Sequence, residues 1–223
     1  MAVELRLLED TPRAGTEAVL APGLPRAIYV ASGQVTINGR LVPADEGIVA
    51  VDGLTIAVGD EGATLWRFEV VQTEVAAEPL GGRGHRKLAH VIRPERIGEA
   101  LLLRLDSVAF PAGGCALLHT HQGPGIRCLK EGAIRIDTEG QSSSYAPGGA
   151  WFEAGPEPVF AQADGQIASR FIRAMVLPRT LLGTSSIRYV NEEDKAKPKS
   201  QSYRVFDEAA MEIPESQGGP DAG

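Results

Sequence analysis

The chain has 223 residues, 43% of them hydrophobic, and a formal net charge of −7 from 22 basic and 29 acidic side chains. That is enough apolar material for one large or two small cores, and it argues against disorder. The acidic balance excludes the electrostatic footprint of a nucleic-acid or anionic-membrane binder, which leaves small molecules or copies of the chain itself as expected partners.

From the N-terminus onward, "MAVELRLLEDTPRAG" lacks a basic start followed by an apolar run, and nowhere does a stretch approach the roughly 20 apolar residues of a membrane span. The expected location is therefore cytoplasmic. Short runs rich in Val, Ile and Leu follow one another: "RAIYVASGQVTING", "ALLLRLDSVAF", "GAIRIDTEG" and "RFIRAMVL". The 26 glycines and 15 prolines punctuate them, which is the grammar of strands and turns. No long segment keeps apolar residues at helical spacing with a capping signal, so the architecture is expected to be all-β, a barrel or a sandwich.

Two stretches run in step. When "AVLAPGLPRAIYVASGQVTI" is set against "ALLHTHQGPGIRCLKEGAIRI" with Gly33 on Gly132, Val19 falls on Leu118, Val30 on Leu129 and Ile37 on Ile136. Farther on, "TIAVGDEGATLWRFEVV" and "PVFAQADGQIASRFIRAMV" align with Phe68 on Phe171. This predicts a duplicated β unit. The units are residues 1–82 and 99–182, joined by a Gly-, Arg- and Pro-rich segment at 83–98 and followed by a tail at 183–223. In the tail Tyr203, Val205, Phe206 and Met211 form an apolar cluster expected to pack on a barrel or a partner subunit, with the last residues mobile.

The chemistry concentrates in "PAGGCALLHTHQGPGIRCLKEGAIRI". Residues two apart on a strand share a face, so His119 and His121 can reach one ion inside a barrel. Neutral imidazole suits Fe, Zn, Cu or Ni. The same alternation turns Arg127 and Cys115 inward and Cys128 outward, so the two thiols are expected to stay reduced and Cys115 not to act as a nucleophile. An inward guanidinium needs a partner, either a substrate carboxylate or a structural pair with Glu153 or Glu157. His85 and His90 are expected at the surface. Of Arg170 and Arg173, at least one should be exposed. Trp151 and Phe152 should pack as core or pocket wall.

These residues resemble the first motif of the cupin superfamily, written G-x5-HxH-x3/4-E-x6-G. Gly113, His119, His121 and Gly132 match, whereas Gly125 holds the glutamate's place. The stretch "PGGAWFEAGPEPVFAQA" resembles the second motif, with its histidine position at or next to Val159. In the first unit Leu20, Pro22, Arg26 and Ile56 stand at the four ligand positions. The resemblance implies a bicupin, two tandem jelly-roll β-barrels, the first degenerate and structural, and a homodimer. It implies one divalent transition metal (Fe, Zn, Ni, Mn or Cu) on His119 and His121, completed by Glu153, Glu157, Gln162 or water, or no metal at all. Two functions follow. One is a dioxygenase-like metal enzyme acting on a small organic acid, with Arg127 and Trp151 contacting substrate. The alternative is a metal-free cupin that binds or senses a small molecule. A metal-free epimerase or isomerase is disfavoured, because no His–Asp pairing is evident.

Overall fold

The computed structural model describes residues 2–94 and 100–213. It is built almost wholly of strands. In the N-terminal half these are β1 (Val3–Asp10), β2 (Glu17–Leu20), β3 (Arg26–Ile37), β4 (Arg40–Pro43), β5 (Gly47–Ala50), β6 (Leu54–Gln72) and β7 (Gly84–Ile92). All seven belong to one sheet, ordered β4-β3-β6-β1-β7, with β2 on β6 and β5 on β3. The sheet is single because β3 and β6 run on without a break, pairing at both ends through register shifts near Val30 and Gly33 that bend the ribbon. Ile28, Val30, Ile37, Ile56 and Leu65 fill the inside of that bend.

The C-terminal half has β8 (Leu101–Phe110), β9 (Cys115–His121), β10 (Gly125–Glu131), β11 (Ile134–Thr138), β12 (Gln141–Tyr145), β13 (Ala150–Glu153), β14 (Val159–Ala163), β15 (Ser169–Pro178), β16 (Ile187–Tyr189) and β17 (Ser202–Met211). Here the counterparts of the long strands are interrupted, so two five-stranded sheets form, β13-β10-β15-β8-β17 and β12-β11-β14-β9-β16. Their inner faces enclose Phe110, Leu129, Ile136, Val159 and Phe171. Among the described residues the strand pairing does not close a jelly-roll barrel in either half. The all-β, duplicated architecture stands.

A third core joins the halves. Leu5, Leu7, Tyr29, Trp66 and Phe68 pack against Leu103, Leu105, Ile126, Ile172 and Ala174. Strand alternation therefore gives β1, β6, β8, β10 and β15 two buried faces, which is why they read as nearly continuous apolar runs. Cys128 points outward from its own half, as expected, but into this shared core, and burial pushes its thiol up to about 12. Both cysteines are free.

Strand registers correct one part of the repeat. With Gly33 on Gly132, Ala27 and Ile28 fall on Ile126 and Arg127; the first two lie opposite Phe68 and Arg67, the second two opposite Ala174 and Arg173. Phe68 is thus equivalent to Ala174, not Phe171, and Arg67 to Arg173. Gly33 and Gly132 do correspond: both have positive φ, and at both a Cβ would meet a carbonyl oxygen at close to 2 Å (Gly62 at 2.2 Å, Ala168 at 2.1 Å). Residues 84–92, read as part of the connector, form β7 against β1, just as the tail strand β17 lies against β8. In the tail, Met211 is buried and Phe206 packs 5.5 Å from the Tyr29 ring, while Tyr203 and Val205 keep substantial exposure. The expected mobility of the last residues concerns 214–223, outside the described residues.

Candidate functional site

A cavity of about 200 Å³ lies between the two C-terminal sheets. His119 and His121 enter it from β9, Arg127 from β10, Glu153 from β13 and Arg173 from β15. The tail closes the remaining side. β16 pairs with β9 at the edge of one sheet and β17 with β8 at the edge of the other, so the segment between them spans the open flank. Ser186, Tyr189, Lys199, Gln201 and Tyr203 reach the cavity from there.

Both imidazoles point inward and converge, with 3.2 Å between their Nε2 atoms. His119 Nδ1 lies 2.7 Å from the Leu117 carbonyl, so this nitrogen carries the proton and Nε2 is left as a lone pair. His121 Nδ1 faces Ser186 Oγ at 3.4 Å. Burial, then the neighbouring Arg173 and Arg127, hold His121 well below its ordinary value, and burial lowers His119 as well. Both rings are neutral at pH 7.

Two guanidiniums share the cavity wall. Arg173 donates through Nε and Nη2 to both carboxylate oxygens of Asp106 (2.9 and 3.1 Å) and turns Nη1 toward His121 Nε2 at 3.4 Å. Arg127 donates to the Gly125 carbonyl at 2.6 Å and forms an ion pair with Glu153 at 2.7 Å, so the structural pairing expected for it is present. Its Nε is nevertheless buried with no acceptor. Burial lowers Arg127 to about 10, partly offset by Glu153, and it remains charged at neutral pH.

The other expected site residues are placed differently. Glu153 is in the site, with Oε2 3.6 Å from His121 Nε2, but it also accepts from Trp151 Nε1 at 2.9 Å. Trp151 sits behind it in the core, stacked on Tyr145, and does not line the cavity. Glu157 does not line this cavity but a second cleft, which His121 also borders, with His90, Gly123 and Arg188. Gln162 points outward, because Val159, Ala161 and Ala163 take the inward positions of β14, and its amide donates to the carbonyls of Gly113 and Gly114. Glu157 and Gln162 are thus corrected as completing ligands. Cys115 is corrected too. A register shift in β9 brings Ala116 and His119 to the same side, which turns Cys115 away. His90 is exposed as expected, its ring stacked 3.8 Å from Phe152. Neither Arg170 nor Arg173 is exposed, contrary to expectation: Arg173 is buried on Asp106 and Arg170 is half-buried, bonded to Asp45 and Glu131.

Asp106 and the inward turn of Arg173 are the site features that the sequence reading misses. Each is a charge inside a mainly apolar strand, "ALLLRLDSVAF" and "RFIRAMVL", and such charges survive burial only when paired. The tail residues carried no such signal.

The residues present do not make a metal site. Among the described residues no group of three His, Cys, Asp or Glu side chains converges. At the glutamate position, a Cβ on Gly125 would lie 2.7 Å from the Ala174 carbonyl and 3.0 Å from Arg127 Nη1, so the guanidinium occupies the space a ligand side chain would need. Val159, at the third histidine position, is apolar and pairs with His119. Arg173 turns a guanidinium N–H toward the same His121 nitrogen that a cation would use.

No protein-family sequence model matches the chain, and no curated protein matches it in sequence. Solved structures do match in shape. A deletion mutant of Bacillus subtilis oxalate decarboxylase has a TM-score of 0.59 at 12% identity, covering 87% of this chain and 73% of that one. AerE from Microcystis aeruginosa has a TM-score of 0.55 at 12% identity, covering 79% of this chain and 88% of that one. The likeness establishes a cupin-type fold, in agreement with the resemblance in the sequence. Oxalate decarboxylase has Mn(II) centres. Among the described residues of this chain, no helix is long and apolar enough to cross a membrane.

Proposed function

We propose that this chain is a binding or sensing protein of tandem cupin jelly-roll type, working without metal, whose C-terminal half holds a small organic anion. One observation carries the reading. Of the charged side chains lining the cavity, Arg127, Arg173 and Lys199 are cationic and Glu153 alone is anionic, in an enclosure whose remaining wall is largely apolar. Asp106 pairs with Arg173 and Glu153 with Arg127, so an anion would be held by the donors those pairs leave over, Arg173 Nη1 and Arg127 Nε. In a low-dielectric pocket such guanidinium donors stabilise a carboxylate through charge-assisted hydrogen bonds. Of the two neutral imidazoles, His121 can present a donor, whereas His119 keeps its proton on the Leu117 carbonyl.

A second reading, a metal-dependent enzyme of dioxygenase type, rests on the 3.2 Å between the two Nε2 atoms. Metal–nitrogen bonds of about 2.0–2.1 Å would place two ligands of one ion at about that separation. Thermal melting separates the two readings. Small organic acids should raise Tm in a concentration-dependent way, and Mn(II), Fe(II) or Zn(II) should not. A rise in Tm with one of these metals that disappears in His119→Ala would overturn the metal-free reading.

A further inference from the structure

The wall of the cavity is divided along the strands, and the division specifies the ligand more narrowly than a small organic acid. The charged groups gather at one end: Asp106 and Arg127 lie on either side of Arg173, with His119 and His121 on successive inward positions of β9. Toward the other end the wall is apolar except for Tyr203, which pairs with Val108 and turns its hydroxyl back to Asp106. Val108 lies opposite Phe171, Ala116 opposite Ala161 and Ile136 on the far side of Ala161, with Phe110 closing the end. Inward residues of successive rows are about 6.6–6.8 Å apart, which is the length of a small ring or a short branched chain. None of these six side chains offers a hydrogen bond. The other lining cation, Lys199, is turned into the tail. It donates to the Asp194 carbonyl and lies 3.9 Å from the centre of the Tyr189 ring, so it gives no seat to a second anionic group. Size agrees: an apolar cavity of about 150 Å³ takes up benzene, and this one, at about 200 Å³, has room for a carboxylate as well.

We infer that the ligand is a monocarboxylate with a compact apolar tail, aromatic or branched aliphatic, whose carboxylate meets Arg173 and Arg127 and whose tail lies among Val108, Phe171, Ala161 and Ile136. The inference rests on the proposed anion-binding function. A dicarboxylate would bury its second charge in the apolar row with no partner, a cost that no contact there offsets.

The test is calorimetric titration of the full chain with benzoate, 3-methylbutanoate, acetate, succinate and benzyl alcohol. Benzoate and 3-methylbutanoate should bind at least about tenfold more tightly than the other three. Ala161→Leu, which fills the apolar row, should abolish that advantage over acetate. If the leucine prevents folding, Val108→Thr keeps the shape, adds a hydroxyl, and should weaken the tailed acids more than acetate. Succinate binding as tightly as benzoate would overturn the inference and leave the anion-binding function standing, and so would benzyl alcohol matching benzoate within an otherwise acid-binding series. If none of the acids binds, acetate included, the proposed function falls together with the inference.

Discussion

The two halves hold equivalent arginines and use them in opposite ways. In the N-terminal half Arg67 is clamped by Asp10 and by Glu69, and Glu69 also receives Arg6 and Arg26. Every one of these groups is nearly inaccessible, and the interior is closed. In the C-terminal half the equivalent Arg173 has its Asp106, but Met175 stands where the register puts Glu69, and a cavity lies beside the arginine. The scaffold accepts a buried guanidinium in either half. On the proposed reading, one more carboxylate is what separates a structural plug from a binding site.

Removing the plug should have the largest effect. Glu69→Leu leaves three buried guanidiniums sharing one fewer partner and should cost about 3–5 kcal/mol, read as a fall in urea midpoint or as loss of the folded protein. Acid should attack the same place. Burial raises the Glu69 carboxyl, but Arg67, Arg6 and Arg26 outweigh it and hold the group below its ordinary 4.5. Its stabilising contribution is then complete above pH 4.5 and is lost as pH falls through the folded value, because the unfolded chain binds the proton first. Urea melts between pH 7 and pH 3 should show this decline, and a flat profile would remove the N-terminal network from the comparison.

The C-terminal half should respond less. Glu153→Gln breaks the Arg127 pair, but the neighbouring cavity offers water, so about 1–3 kcal/mol is expected. By removing the one anionic side chain in the wall it should also tighten binding of small carboxylates, which calorimetry would show. An equal loss in Glu153→Gln and Glu69→Leu would mean that both interiors are plugs. Smallest is Tyr203→Phe, which deletes a hydroxyl 3.3 Å from Asp106 Oδ2 and 3.4 Å from Arg104 Nη1. About 0.5–1.5 kcal/mol should be lost in the same melts.

Much of the fold could be read from residues alone. Alternating apolar runs, turn glycines such as Gly33 and Gly132, and the in-step first strands carried the all-β duplication, because these are local consequences of pleat and turn geometry. The inward turn of His119, His121 and Arg127 followed from the same period of two. The Phe68–Phe171 alignment failed because identical residues do not encode register. Cross-strand pairing does, and it makes Arg67 the counterpart of Arg173. Cys115 was placed on the wrong face by a bulge that leaves no mark in the sequence.

The sequence by itself determined the strands, the duplication and the pair of imidazoles on one face, since each depends on neighbours along the chain. Only the tertiary structure decided what surrounds those imidazoles. Arg173 arrives from β15, Glu153 from β13 and the closing wall from a tail strand far along the chain, and the space beside Gly125 is taken by Arg127. Charge balance within a cavity is a sum over groups brought together by folding, and no single segment contains it.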